Sequence, residues 1–248
     1  MITIGSLLKD RPNLYSNLGK LDIITKMRPL LKRAGYIVRP DGKIVQPIKQ
    51  VAWESPWIHS NQDNYNECSL CFNTMFEMFK FWPTYCLGCW KLVIMPRTLS
   101  ELFDVYEYQR ECGHPCKCGI EVRDIVNRLY GGYFYHRSRE YGLIRFYEIR
   151  KVFPDTPMIL KRGCSEFETE LGPAEDWEVT AEQLEKEDVL KQWVIIPDEV
   201  FCQPDHLKAY IMLKWIHFAY TNSDETYKQF TRGQPLSVPM KTYHQGET

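Results

Sequence analysis

Apolar positions along the chain fall into short runs with two different periods. Leu21, Ile24, Met27 and Leu31, with Ile23 and Leu30 beside them, recur at helical spacing. They predict a helix over 21–34 that Gly35 ends and that Pro29 kinks or delays. Tyr36-Ile37-Val38 and Lys43-Ile44-Val45 flank the turn sequence Arg39-Pro40-Asp41-Gly42 and predict a hairpin. A short helix is expected near Ile4 to Asp10, and residues 51–66 read as a linker carrying Trp53 and Trp57.

Further along, Lys91 to Met95 is a short apolar strand stopped by Pro96. Thr98 and Glu101 form a capping box for a helix that buries Leu99, Leu102, Phe103 and Tyr106. Val122, Ile125, Val126 and Leu129 favour a helix over 120–130. Tyr133 to Ser138 and Leu143 to Phe153 predict a long aromatic hairpin turning at Arg139-Glu140-Tyr141-Gly142. A strand at Met158 to Lys161, a helix over Thr180 to Gln192 capped by Thr180, and a strand at Trp193 to Ile196 follow. Asp205 to Tyr220 is an amphipathic helix, and no internal repeat is visible.

These elements define an α+β chain: a basic helix-plus-hairpin unit at 1–52, a mixed domain at 53–232 built around a cysteine-rich metal site, and a tail at 233–248. A length of 248 residues and an apolar fraction of 44% suffice for a buried core and exclude coiled coil, collagen and wholesale disorder. No apolar run approaches the roughly 20 residues of a membrane span. The start, MITIGSLLKDRP, lacks the features of a secretory signal. A cytoplasmic, reducing location with no membrane partner is therefore expected.

Charge changes this picture, because the net value of −1 conceals opposed segments. Between Lys20 and Gln50, eight basic residues face two acids. Between Glu166 and Asp188, ten acids face Lys186 alone. The basic helix followed by a basic hairpin resembles the recognition helix and wing of a winged helix-turn-helix, which implies nucleic-acid contact through Lys26, Arg28, Lys32, Arg33, Arg39 and Lys43. The acidic segment 166–188 is the candidate surface for a protein partner, or for imitating nucleic acid.

Cysteine supplies the candidate chemistry. Seven of nine cysteines lie between Cys68 and Cys118, a clustering that points to metal rather than to disulfides. Cys68-Ser-Leu-Cys71 and Cys86-Leu-Gly-Cys89 are two CxxC pairs separated by fourteen residues. Such pairs present four thiolates in the tetrahedral set that zinc prefers, and they resemble zinc-ribbon and treble-clef knuckles. With all four positions filled by protein, such a site is structural. The run Phe72, Met75, Phe76, Met78, Phe79, Phe81 and Trp82 between the pairs is apolar enough to belong to a core. Cys112, His114, Cys116 and Cys118 form a second candidate, for a second zinc or for an iron–sulfur cluster.

The expected aromatic hairpin interleaves rings with Arg137, Arg139 and Arg145, as single-strand binders do. Cys164, next to Lys161 and Arg162, is a weaker candidate nucleophile. Phosphate-loop, dinucleotide, nucleophile-elbow, zincin and EF-hand signatures are all missing, which disfavours those classes of enzyme. Three readings follow: a zinc-stabilised nucleic-acid-associated protein, a metalloenzyme using Cys112, Cys116 and Cys118, and an interaction module using the acidic segment.

Overall fold

The computed structural model describes residues 36–41, 43–45, 55–61, 65–195 and 202–236. The helices expected at 4–10 and 21–34, with Lys26, Arg28, Lys32 and Arg33, lie outside them, as does most of the tail. Within them the chain is mixed α+β, with two sheets and eight α-helices. No helix among the described residues is long and apolar enough to cross a membrane.

The hairpin forms as its turn sequence predicts. β1 (Ile37–Val38) pairs antiparallel with β2 (Ile44–Val45), and the Asp41 side chain accepts the Lys43 N–H at 3.0 Å. β2 also pairs in parallel with β8 (Val194–Ile195), which makes a three-stranded sheet.

The cysteine-rich segment is helical rather than extended. α1 (Tyr65–Leu70) passes into a π-helical turn at Cys71–Phe76 and then α2 (Glu77–Phe79), ending where Lys80 takes a positive φ of 52°. α3 (Thr84–Leu87) follows. Met75, Phe76, Met78, Phe81 and Trp82 are buried, so the apolar run between the CxxC pairs is core, as its composition predicts. It packs with Tyr36 and Ile44 of the hairpin and with Phe167, Val189, Leu190 and Val194.

A five-stranded antiparallel sheet holds the second core, in the order β3-β5-β6-β4-β7. Its strands are β3 (Trp57–Ser60), β4 (Trp90–Ile94), β5 (Cys116–Ile120), β6 (Tyr130–His136) and β7 (Met158–Arg162). α4 (Leu99–Glu111) joins β4 to β5, and α5 (Arg139–Val152) joins β6 to β7. Each crossover passes over one intervening antiparallel strand, which is the split βαβ arrangement used twice. Period-2 alternation sorts the faces by residue parity. Ile58, Leu92, Ile94, Cys116, Cys118, Ile120, Phe134 and Met158 bury one face under α4, α5 and α8 (Asp205–Thr221). The opposite face carries Trp57, Lys91, Lys117, Tyr133, Tyr135 and Lys161.

Three sequence expectations are corrected here. Residues 143–153 are not the second arm of a hairpin but the body of α5. Ser138 caps the helix by accepting the Tyr141 N–H, and Gly142 and Ile149, at helical spacing, are its buried positions. Residues 121–129 form no helix: Val122 and Ile125 are exposed, and the segment is an irregular link from β5 to β6. Trp57 to Ser60, read as linker, is the edge strand β3. Its four residues are too few for alternation to stand out, and pairing with β5 from Trp57↔Gly119 to Ser60↔Cys116 defines it instead.

The acidic segment is α6 (Ser165–Leu171), a short 3-10 turn and α7 (Ala181–Trp193). Much of its charge is spent internally. Glu166 meets Arg123 at 2.9 Å, Glu168 meets Lys161 at 2.5 Å and Glu170 meets Lys80 at 2.8 Å. Glu187, fully buried, accepts the Thr84 N–H at 3.0 Å, the Thr84 hydroxyl, and the Gln183 amide at 2.9 Å.

A candidate anion pocket between two groups of cysteines

The two CxxC pairs are electrostatic neighbours built on different local structures, without closing into a metal-holding set. Cys68 and Cys71 lie three residues apart along α1 and the π-helical turn, so they share a helix face. Cys86 lies in the last turn of α3, and beyond it the Cys89 N–H reaches the Cys86 carbonyl at 3.1 Å. Cys71 and Cys86 are hydrogen-bonded to each other, and Cys68 feels both Cys86 and Cys89 electrostatically. Burial, reinforced by these neighbours, pushes Cys68 up to about 12; burial also pushes Cys89 up to about 11. Left to themselves, Cys68, Cys86 and Cys89 stay protonated at neutral pH.

Cys164 joins the group from the start of α6. Its cation is not one of its sequence neighbours: Lys91 of β4 donates to its sulfur at 2.9 Å. Lys161 bonds Ser165 and Glu168 instead, and Arg162 bonds the Leu87 carbonyl. Among the described residues, no three His, Cys, Asp or Glu side chains stand where they could hold one metal ion.

The second candidate group divides. Cys112 is the C-cap of α4, Gly113 turns the chain with a φ of 67°, and Cys116 opens β5. This brings the two sulfurs to 3.9 Å. Their hydrogen bond lowers Cys112 to about 6 against the opposing effect of burial, with the His114 backbone and Arg145 assisting. The same bond, with burial, drives Cys116 far up. Cys118 lies two residues deeper on the buried face of the sheet, its thiol raised by burial alone. His114 lines a cavity.

That cavity, of about 350 Å³, opens at the end of the sheet, where β6 runs into α5. Cys89, His114, Pro115, Tyr135, His136, Arg137, Tyr141 and Arg145 line it. Arg137 lies 3.9 Å over the Tyr85 ring and 4.0 Å from Glu67. Arg145 pairs with Glu148 one turn along α5. Burial, aided by His114 and Arg145, lowers His136 to about 4, and burial also lowers His114. Both imidazoles are neutral at pH 7, so the two guanidinium groups supply the positive charge. His136 Nε2 is buried without a hydrogen-bond partner among the described residues. Tyr141 is 67% exposed at the rim.

Of the residues expected to meet nucleic acid, Arg137 and Arg145 come together here, and Arg139 is exposed on the first turn of α5. Arg39 and Lys43 sit on the hairpin, where Arg39 pairs with Asp41 at 3.4 Å and Lys43 bonds the Gln192 carbonyl. His136 belongs to the ring-and-guanidinium stretch that the sequence singles out, whereas Tyr141, Lys91 and Lys117 were missed. Lys117 stacks over Trp57 at 4.5 Å and Tyr133 at 5.3 Å, and burial, with Lys91 and Arg123 beside it, lowers its amine to about 8. The odd-numbered alternation of Lys91, Lys117, Tyr133 and Tyr135 was the available signal, once the strands are known.

Comparisons of the chain with models of protein families, with curated proteins and with solved structures found no match to any of them. The reading of its function therefore rests on the arrangement of its own residues.

Proposed function

We propose that the chain is a metal-stapled protein that binds single-stranded nucleic acid. The cavity at the end of the sheet carries this reading: two guanidinium groups, two neutral imidazoles and the rings of Tyr135 and Tyr141 meet in one cleft. Guanidinium suits phosphate oxygens, and an exposed ring suits a base. A space of about 350 Å³ admits a nucleotide and excludes a duplex, which favours a single strand.

Fluorescence anisotropy with labelled single-stranded oligonucleotides tests this. Binding should be measurable at low salt and weaken steeply as salt rises. The double variant Arg137→Ala, Arg145→Ala should weaken it at least about tenfold, and Tyr141→Ala should cost about 1–3 kcal/mol if a base stacks there. No binding at low salt, or equal binding by the double variant, would overturn the proposal.

Zinc at Cys68, Cys71, Cys86 and Cys89 is the staple in this reading. The electrostatic neighbourhood of Cys68 with Cys86 and Cys89 supports it, together with the raised thiols that a bound cation would relieve. Zinc would have to draw the thiols closer than they stand, since no three of them form a metal-holding set among the described residues. Elemental analysis should find one zinc ion per chain, lost in Cys86→Ser, with chelation lowering the unfolding temperature. A metal-free protein of unchanged stability would remove the staple and leave the pocket reading standing.

A further inference from the structure

We propose that Cys112 and Cys116 are a redox-active dithiol, with a small disulfide bearing carboxylates as its substrate class. Four observations place the pair. The sulfurs are 3.9 Å apart, close enough that a modest movement brings them to the roughly 2 Å of a disulfide. The link between them has room to make that movement: Gly113 already holds a φ of 67°, and nothing lies within 4 Å of where its Cβ would be. The two thiols differ in access, Cys112 being half-buried and Cys116 fully buried. Finally, His114 and Pro115, the residues between the cysteines, form part of the cavity wall that also carries Arg137 and Arg145.

The access difference assigns the order of events. Cys112, deprotonated, attacks one sulfur of the incoming disulfide; that S–S bond breaks, and the first thiolate leaves with the electron pair. A mixed disulfide now joins Cys112 to half of the substrate. Cys116 gives up its proton, attacks the Cys112 sulfur and expels the second thiolate. The protein dithiol is oxidised to the Cys112–Cys116 disulfide, and the substrate disulfide is reduced to two thiols. In this proposal the carboxylates go to Arg137 and Arg145, in the cavity whose wall the dithiol's own His114 and Pro115 help to form.

The test uses the full chain and oxidised glutathione as the probe. Reduced protein is equilibrated across a series of glutathione redox buffers, alkylated and mapped by mass spectrometry. The expected result is a Cys112–Cys116 disulfide that forms and reopens with the buffer ratio while Cys118 stays alkylatable after unfolding. Cys112→Ser should abolish the exchange, and Cys116→Ser should leave one glutathione trapped on Cys112. Peptide mapping of the unmodified chain keeps the proposal falsifiable if either variant fails to fold. Cys112 and Cys116 remaining reduced at every ratio, or Cys112 pairing with a cysteine other than Cys116, would overturn it. Neither result bears on oligonucleotide binding.

Discussion

A single buried imidazole makes the pocket sensitive to pH. His136 is held at about 4, below the ordinary 6.5, by burial and by the neighbouring His114 and Arg145. The unfolded chain therefore takes up a proton between these values that the folded chain refuses. Stability that is fully present above about 6.5 is lost as pH falls toward 4, by at most about 3 kcal/mol from this residue. Urea melts at pH 7, 5.5 and 4 should show a shallower loss for His136→Asn than for the parent. Parallel curves would show that the imidazole is not shielded as described. The sequence places His136 among the arginines and rings of this stretch, but its burial and its approach to His114 are long-range facts that the sequence does not carry.

Between elements, close approach decides more than composition does. α4 packs onto the sheet over Gly132, where an added Cβ would stand 2.6 Å from Ile94 Cγ2 and 2.9 Å from Val105 Cγ1. Gly132→Ala should overpack this contact and cost about 1–3 kcal/mol in denaturant unfolding. Gly163 is constrained twice, by a φ of 63° and by the Trp82 ring at 2.2 Å from where its Cβ would be. The misreading of α5 belongs to this scale too. Its aromatic and Arg-rich composition suits a strand, but Ser138 caps it, and Gly142 at one buried position lets Leu160 of β7 approach. The cap of α4 at Thr98, by contrast, was legible because capping is local: Thr98 Oγ1 accepts the Glu101 N–H at 3.2 Å.

Across the whole molecule, the acidic segment ties the two halves of the first core together. Glu187 reaches from α7 to the start of α3, where it takes both Thr84 donors and the Gln183 amide. Glu187→Ala strands these buried donors and should cost about 2–3 kcal/mol, whereas Glu187→Gln, which keeps an acceptor oxygen, should cost less. Thermal or urea unfolding of the two variants checks this; equal losses would mean that the carboxylate serves packing alone. The charge asymmetry seen in the sequence is thus partly a record of internal pairing, with Glu166, Glu168 and Glu170 each meeting a cation from elsewhere in the fold.

Local chemistry was readable without a structure. The hairpin at 36–45, the caps at Thr98 and Thr180, the helix at 205–221 and the buried character of the run between the CxxC pairs all depend on neighbours within a few residues, and the chain encodes those directly. Which thiols meet, and what charge reaches them, is long-range information. Cys68 comes within electrostatic reach of Cys86, Cys89 and Cys164, and Cys71 within reach of Cys86, because an apolar helical segment packs into the first core. Lys91 reaches Cys164 because β4 and β7 pair. Cys112 and Cys116 face each other because α4 must turn tightly to enter β5. The clustering of cysteines was a property of the sequence; its division into a buried group, a facing pair and a pocket between them is the work of the sheet.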